Sequence, residues 1–246
     1  MKGRAIRLSR PRRLVIDLLH FARALPTVPV QRQMALQAVV AARNGCLKRP
    51  PWPAIFAKAY ALAGQEFPVL RRAYVKLPWP HLCESPTSSA NLIFERDYSG
   101  EFALFFCRVD NPAAMPLGEL SAVVELCATA PIDSIVEFRR GLRLAALPRP
   151  LRRLMLWLAL NIAGRREKYF GTFGLSAFSG LNADSLHPLS PLTTLLNYIF
   201  VTEEGLADVR ITYDHRVMDG ATVARALKRL EEILNGPIID ELRAIG

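Results

Sequence analysis

The sequence carries no G-x-G-x-x-G, no P-loop and no G-x-S-x-G elbow. The fingerprints of dinucleotide binding, phosphate cradling and the α/β-hydrolase nucleophile are therefore missing. Cysteine is scarce: Cys46, Cys83, Cys107 and Cys127 are far apart and form no C-x-x-C pair. That spacing suits neither a zinc site nor a small disulfide framework. The four are read as reduced core residues of a cytosolic protein, since free cysteine behaves as a small buried hydrophobe. His20, His81, His187 and His215 fall into no metal-ligand pattern, and no metal is expected. The longest apolar run, Leu154 to Ala163, is well short of the roughly 20 residues that span a bilayer. A signal peptide is not expected either, because the N-terminal apolar run is broken by Asp17 and Arg23. With no repeat, low-complexity tract or linker, residues 1–246 read as one domain.

Acid is nearly absent from one part of the chain. Residues 1–50 hold 11 Lys and Arg against Asp17 alone, which accounts for the whole net charge of +10. A second basic block, Arg139 to Lys168, sets nine cations against Glu167. Such blocks suit the phosphates of a cofactor, an anionic surface, or plain solvation. Nucleic acid is not expected, because no aromatics interleave the basic runs on a recognisable module. Half of the residues are hydrophobic, 51%, enough for a sizeable core.

Periodicity predicts a basic amphipathic helix from Ser9 to Leu25, ended by Pro26 and Pro29. Residues 31–44 read as strand, helix or a mixture. A helix over 54–65 follows the proline break at Pro50, Pro51 and Pro53, and Pro78, Pro80 and Pro86 mark a loop. A hairpin is expected from Asn91–Arg96 and Phe102–Val109, turning at Tyr98-Ser99-Gly100. Helices over 117–129 and 151–163, then a strand over 170–176, come next. A second hairpin joins 192–201 to 206–213, with Val209, Ile211 and Tyr213 alternating against polar neighbours. A last helix over 221–234 stops at Asn235-Gly236. Strand pairs mixed with helices point to an α+β two-layer sandwich.

The sharpest local feature is Tyr213-Asp214-His215-Arg216-Val217-Met218-Asp219-Gly220. A histidine leaving a strand can serve as a base near neutral pH. Asp219 can equally be a helix N-cap, and His215 a satisfied strand-end histidine. Gly220 is read as supplying backbone freedom to the turn.

The pattern H-x-x-x-D-G at His215, Asp219 and Gly220 resembles the active-site signature of the chloramphenicol acetyltransferase and dihydrolipoyl transacylase family. The wider D-H-R-x-x-D-G form, residues 214–220, is nearer the transacylases, the acyl-transferring cores of 2-oxo acid dehydrogenase complexes. Gly171-Thr172-Phe173-Gly174-Leu175-Ser176 is similar to their G-T-F-T-I-S, and Ile6-x-Leu8-Ser9-x-x-Arg12 resembles their opening. Residues 30–90 and 130–168 match poorly. The resemblance implies a mixed β-sheet with flanking helices, assembled as a homotrimer whose sites lie between subunits. It also implies roles. His215 is the general base, and Ser176 donates to the oxyanion. Asp219 is mainly structural and pairs with Arg12. The donor is a coenzyme A thioester or an acyl-carrying protein; residues that would bind it are not assigned.

Two departures bear on function. The sequence shows no lipoyl or subunit-binding domain, so a stand-alone acyltransferase is expected, transferring to a thiol, hydroxyl or amine. The apolar helix within 149–168 is flanked by Arg152, Arg153, Arg165 and Arg166. It could pack in the trimer, line a pocket for a long acyl chain, or lie in a membrane interface. The expected location is cytoplasmic, with peripheral membrane contact through 149–168 as the variant. The competing readings are a catalytically idle trimeric scaffold and a condensation-type amide-forming enzyme.

Overall fold

The computed structural model describes residues 3–176 and 185–245. It opens on α1 (Arg10–Ala22), whose N-cap is Ser9. The Ser9 hydroxyl accepts the Arg12 amide at 3.3 Å, and Pro11 sits in the first turn, where a missing N–H leaves nothing unsatisfied. The Ser-x-x-Arg opening is thus a capping element first. Residues 27–44 are a mixture, β1 (Thr27–Ala35) followed by α2 (Gln37–Asn44). Pro29, which the sequence marks as part of a helix stop, lies inside β1. That strand is the edge of the sheet, where a residue without an N–H is tolerated.

α3 (Trp52–Glu66) is buried almost all round, with Ala54, Ala57 and Ala61 as well as Ile55, Phe56 and Tyr60 inside. A helix apolar on every side must be enclosed. It is, packing between strands of the sheet and two later helices. A 3-10 turn at Pro68–Arg71 leads to a small ribbon, β2 (Arg72–Val75) and β3 (His81–Glu84). The expected first hairpin forms as β4 (Ser89–Tyr98) and β5 (Glu101–Asp110). Its turn places Ser99 and Gly100 at φ of 58° and 82°. α4 (Leu117–Thr129), α5 (Val136–Ala146), α6 (Arg149–Asn161) and α7 (Ala163–Phe170) follow. The chain ends with β6 (Phe173–Ser176), β7 (Thr194–Phe200), β8 (Leu206–Asp214), α8 (Gly220–Leu234) and α9 (Pro237–Ala244).

The main sheet has the order β1-β8-β7-β6-β4-β5, with β4, β6 and β7 parallel and the other pairs antiparallel. This is the α+β arrangement of a mixed sheet with flanking helices that the sequence predicts. α3, α4 and α8 lie against the sheet, and α1 and α5 run along β5. One sheet face is apolar: Leu92, Phe105, Cys107, Val109, Val209, Ile211 and Tyr213 all join the core. Phe56 stacks on Tyr198 at 3.8 Å between centroids, and the Tyr60 hydroxyl meets Thr194 Oγ1 at 2.8 Å. Burying each such aromatic contributes roughly 1.5–3 kcal/mol.

Two expectations need correction. Cys107 of β5 and Cys127 of α4 are joined as a disulfide, so only Cys46 and Cys83 are free thiols. The hairpin and the helix packed on it bring together two residues 20 apart, which no local spacing rule reveals. The arginines around 149–168 are also not a solvated collar. Asp17 of α1 is fully buried; Arg152 bonds its carboxylate, and Arg153 Nε donates to it at 2.8 Å. Arg166 is buried too, donating to the carbonyls of Leu160 at 3.2 Å and Pro191 at 2.9 Å. Of the four, Arg165 alone is exposed. The helix is broken at Ile162, separating α6 from α7. Among the described residues no helix is long and apolar enough to cross a membrane.

Candidate active site

β8 delivers His215 to a tight turn whose other side chains are anchored. Asp214 is 1% exposed, and its carboxylate accepts the Arg216 amide at 3.0 Å and Arg216 Nη2 at 2.6 Å. These bonds to Asp214 raise the Arg216 guanidinium above its ordinary range. The same guanidinium lies over the Tyr74 ring at 4.5 Å, a cation–π contact. Val217 and Met218 turn into the core. Beneath the turn, burial lowers Arg166 to about 10, with the Asp214 charge acting in the opposite sense.

His215 stands out from this frame. Its amide donates to the carbonyl of Pro26 at 3.0 Å, while its side chain is 49% exposed. Nδ1 is 3.6 Å from Asp219 Oδ1, close enough for electrostatic support and too long for a hydrogen bond. Nε2 has no hydrogen-bond partner among the described residues. Asp219 holds the N-cap position of α8 through its backbone, its carbonyl accepting the Thr222 and Val223 amides at 3.0 and 3.2 Å. Its side chain makes no capping bond and is 82% exposed. The carboxylate is therefore free to face the imidazole. Gly220 starts α8 with no positive φ, which corrects the expectation of backbone freedom. Its requirement is space: a Cβ there would lie 3.3 Å from the Tyr213 hydroxyl. Burial, with Asp219 adding to it, holds that hydroxyl above its ordinary pKa. His187 was not singled out by the sequence, yet its Nε2 meets Thr27 Oγ1 at 2.9 Å, and Thr27 pairs with Asp214.

The second motif explains itself strand by strand. Gly171 has φ 73°, and a Cβ would fall 2.6 Å from the Ser89 carbonyl oxygen; only glycine fits. The Thr172 amide donates to that oxygen at 2.8 Å, and its Oγ1 accepts the Ser89 amide at 3.0 Å. Phe173 and Leu175 are core residues. Gly174 and Ser176 alternate onto the opposite face. There, by register, Ser176 lies beside Ile93 of β4 and Asn197 of β7, and Asn197 lies beside Arg210 of β8. Arg210 bonds Gln31 and donates to the Ser185 carbonyl at 2.8 Å.

The register also fixes how far apart the two key residues are. From the level of Ser176, which is that of Arg210, β8 runs five residues further before reaching His215. At about 3.3 Å per residue that is ~17 Å along the strand. One chain does not place its own imidazole against its own Ser176 hydroxyl.

No protein-family model matches the chain, and no curated protein matches it in sequence. Solved structures do match. A truncated catalytic core of the 2-oxoacid dehydrogenase multienzyme complex from Thermoplasma acidophilum aligns with a TM-score of 0.67, covering 96% of this chain and 99% of that one at 15% identity. The dihydrolipoamide acetyltransferase of Azotobacter vinelandii gives 0.65, covering 99% and 94% at 18% identity. A chloramphenicol acetyltransferase gives 0.56, covering 95% and 100% at 17% identity. This chain shares their fold.

Within the acetyltransferase fold, one expected pair does not form. Arg12 bonds Glu101 at 3.1 Å rather than Asp219. The Ser9 hydroxyl and then Arg12 hold the Glu101 carboxyl below its usual range. The reason is topological. α1 lies on β5, whereas Asp219 follows β8, four strand spacings away, or ~19 Å at about 4.8 Å each. The basic blocks are likewise partly spent on the fold: Arg32 pairs with Glu231, Arg153 with Asp17, and Arg43 covers the Trp52 ring. Among the described residues no group of three or more His, Cys, Asp or Glu side chains gathers as a metal site.

Proposed function

We propose that the chain is an acyltransferase that moves an acyl group from a thioester to a thiol, hydroxyl or amine, with each reacting centre built from two copies in a homotrimer. The observation that carries this reading is the half-exposed His215, held on an anchored turn with Asp219 at 3.6 Å. Ser176 faces outward from the same sheet, too far away to serve that imidazole within one chain. A neighbouring copy supplies the missing half. The acetyltransferase of Azotobacter vinelandii adds support: a serine, a histidine and an asparagine four residues on were investigated for roles in its catalytic mechanism. Ser176, His215 and Asp219 hold the same order here, with an acid at the third place. One core running through sheet and helices supports reading residues 1–246 as a single catalytic unit.

In this mechanism His215 takes the proton from the acceptor as the acceptor attacks the thioester carbonyl. The imidazolium gains Coulombic support from Asp219. The tetrahedral oxyanion accepts a hydrogen bond from Ser176 of the adjacent copy. Collapse breaks the carbon–sulfur bond, and the departing thiolate recovers the proton from His215. The donor is a coenzyme A thioester or an acyl-carrying protein. The test is turnover with acyl-CoAs followed by a thiol reporter. His215→Ala should lose about 100- to 10,000-fold in kcat; full turnover in that variant would end the proposal.

A further inference from the structure

Between the β4–β5 side of the sheet and helices α1, α5 and α6 lies a cavity of about 470 Å³, partly open to solvent. Pockets for small molecules commonly measure roughly 300–1,000 Å³. The cavity floor includes Ile93 and Phe106, set side by side by the β4–β5 register, and the walls include Leu18, Leu142, Leu156 and Leu192. Three lining cations, Arg140, Arg165 and Lys168, are exposed and so mark the mouth. None of the three has an ion pair among the described residues. Arg108 and Asp110, also lining, neutralise each other at 2.7 Å. Among the described residues, Glu137 is then the one lining acid set against three cations, which leaves a net +2.

The cavity reaches the reacting face of the sheet. Ile93 is the register partner of Ser176 on the adjoining strand, one spacing of ~4.8 Å away. Leu192 folds over Gly174, where a Cβ would sit only 3.2 Å from its Cδ1. A side chain at 174, such as the threonine of the related motif, would press first on Leu195, whose Cδ1 lies 2.6 Å from that Cβ position, and then on Leu192. The space is therefore mostly apolar, cationic at its mouth, and one strand spacing from Ser176.

We propose that this cavity holds the hydrocarbon chain of the acyl donor, an unbranched fatty-acyl group on an anionic carrier. The proposal rests on the acyl-transfer reading and narrows its substrate class. A two-carbon acyl group would leave most of the cavity empty, and unfilled apolar space forgoes the contacts its lining could make. A sugar or peptide would set most of its polar groups against leucine and phenylalanine, since Asn91, Tyr169 and Ser190 are the few uncharged polar side chains named in the lining. An alkyl chain fills it, with the anionic head left among the cations.

The experiment is equilibrium binding of saturated CoA thioesters from acetyl to palmitoyl, with free CoA and the corresponding free fatty acids as separate arms. Wild type and His215→Ala are compared, so that turnover plays no part. Kd should fall roughly fourfold per methylene until the chain fills the cavity, and then level off. Ala159→Phe, which occupies lining space, should bring that plateau to shorter chains, with folding checked by its melting curve. Arg165→Glu with Lys168→Glu should weaken binding about tenfold or more. CoA thioesters binding more tightly than both free CoA and the free acids supports a chain carried on CoA; free acids binding as tightly as the thioesters overturns the anionic carrier. A Kd that does not change from acetyl to palmitoyl overturns it, as does unaltered chain-length dependence in a folded Ala159→Phe protein. Chain-length-dependent binding in a protein without turnover would leave the cavity standing and remove the acyl-transfer reading. Turnover without that dependence does the reverse.

Discussion

Subunit complementation tests the separation of His215 and Ser176 most directly. Ser176→Ala should cost about 100- to 1,000-fold in kcat through the lost oxyanion donor, and His215→Ala at least as much. Each parent alone is then nearly silent. In a shared centre, a His215→Ala copy still offers an intact Ser176, and a Ser176→Ala copy an intact imidazole. Mixed at equal amounts and refolded together, random assembly gives about one quarter of centres with both groups intact. Activity should therefore return to ~25% of wild type, far above either parent. The ~17 Å between the two levels of the sheet makes an intrachain centre impossible without rebuilding β8. Differently tagged subunits and native mass spectrometry would establish that mixed assemblies form. If they do and activity stays at the parental level, the two-copy centre is refuted.

Other perturbations follow from geometry already described. Asp17→Asn should destabilise the fold by about 3–5 kcal/mol, because it leaves the buried Arg152 without its counter-charge; denaturant melts would measure this. Burial would raise the Asp17 carboxyl, but Arg153 and Arg152 outweigh it and hold the group below its ordinary value. Its folded value thus lies under its unfolded one. The stabilisation is complete above the unfolded value of about 3.9 and fades as pH falls through the folded value. Asp17→Asn should flatten that acid limb. Gly220→Ala should cost ~1 kcal/mol by crowding the Tyr213 hydroxyl, roughly 2–4 °C in Tm, and adding Tyr213→Phe should restore most of it. Asp219→Asn should lower kcat no more than about fivefold, as expected for an exposed charge supporting an imidazolium; a loss as large as that of His215→Ala would assign Asp219 a direct role in proton transfer.

The legible parts of the sequence were those where local pattern and tertiary environment agree. Val209, Ile211 and Tyr213 alternate because one face of β8 is core, and Val223, Leu227, Leu230 and Leu234 line the buried side of α8. The opposite face of β8 defeats the simple rule, since Arg210 and Thr212 are buried as well. β1 was hidden by Pro29, a helix-stop signal that an edge strand accommodates. α5 escaped notice because three inward residues, Phe138, Leu142 and Ala145, are scattered among arginines. At the candidate site, the motif marked His215 and Ser176. It could not show that α1 is docked on β5, so Arg12 was assigned a partner on the far side of the sheet. The Cys107–Cys127 bond and the cavity are likewise products of packing between distant segments.

Both margins of the main sheet are blunted. β1 exposes a strand bearing Pro29 and the charged Arg32, and β5 is flanked by α1 and α5. Strand-to-strand addition, the commonest uncontrolled way for sheets to grow, meets an imperfect template on one side and helices on the other. Any contact between copies would then run through broad surfaces or strand ends, where the side chains and not the open backbone of a strand decide the fit.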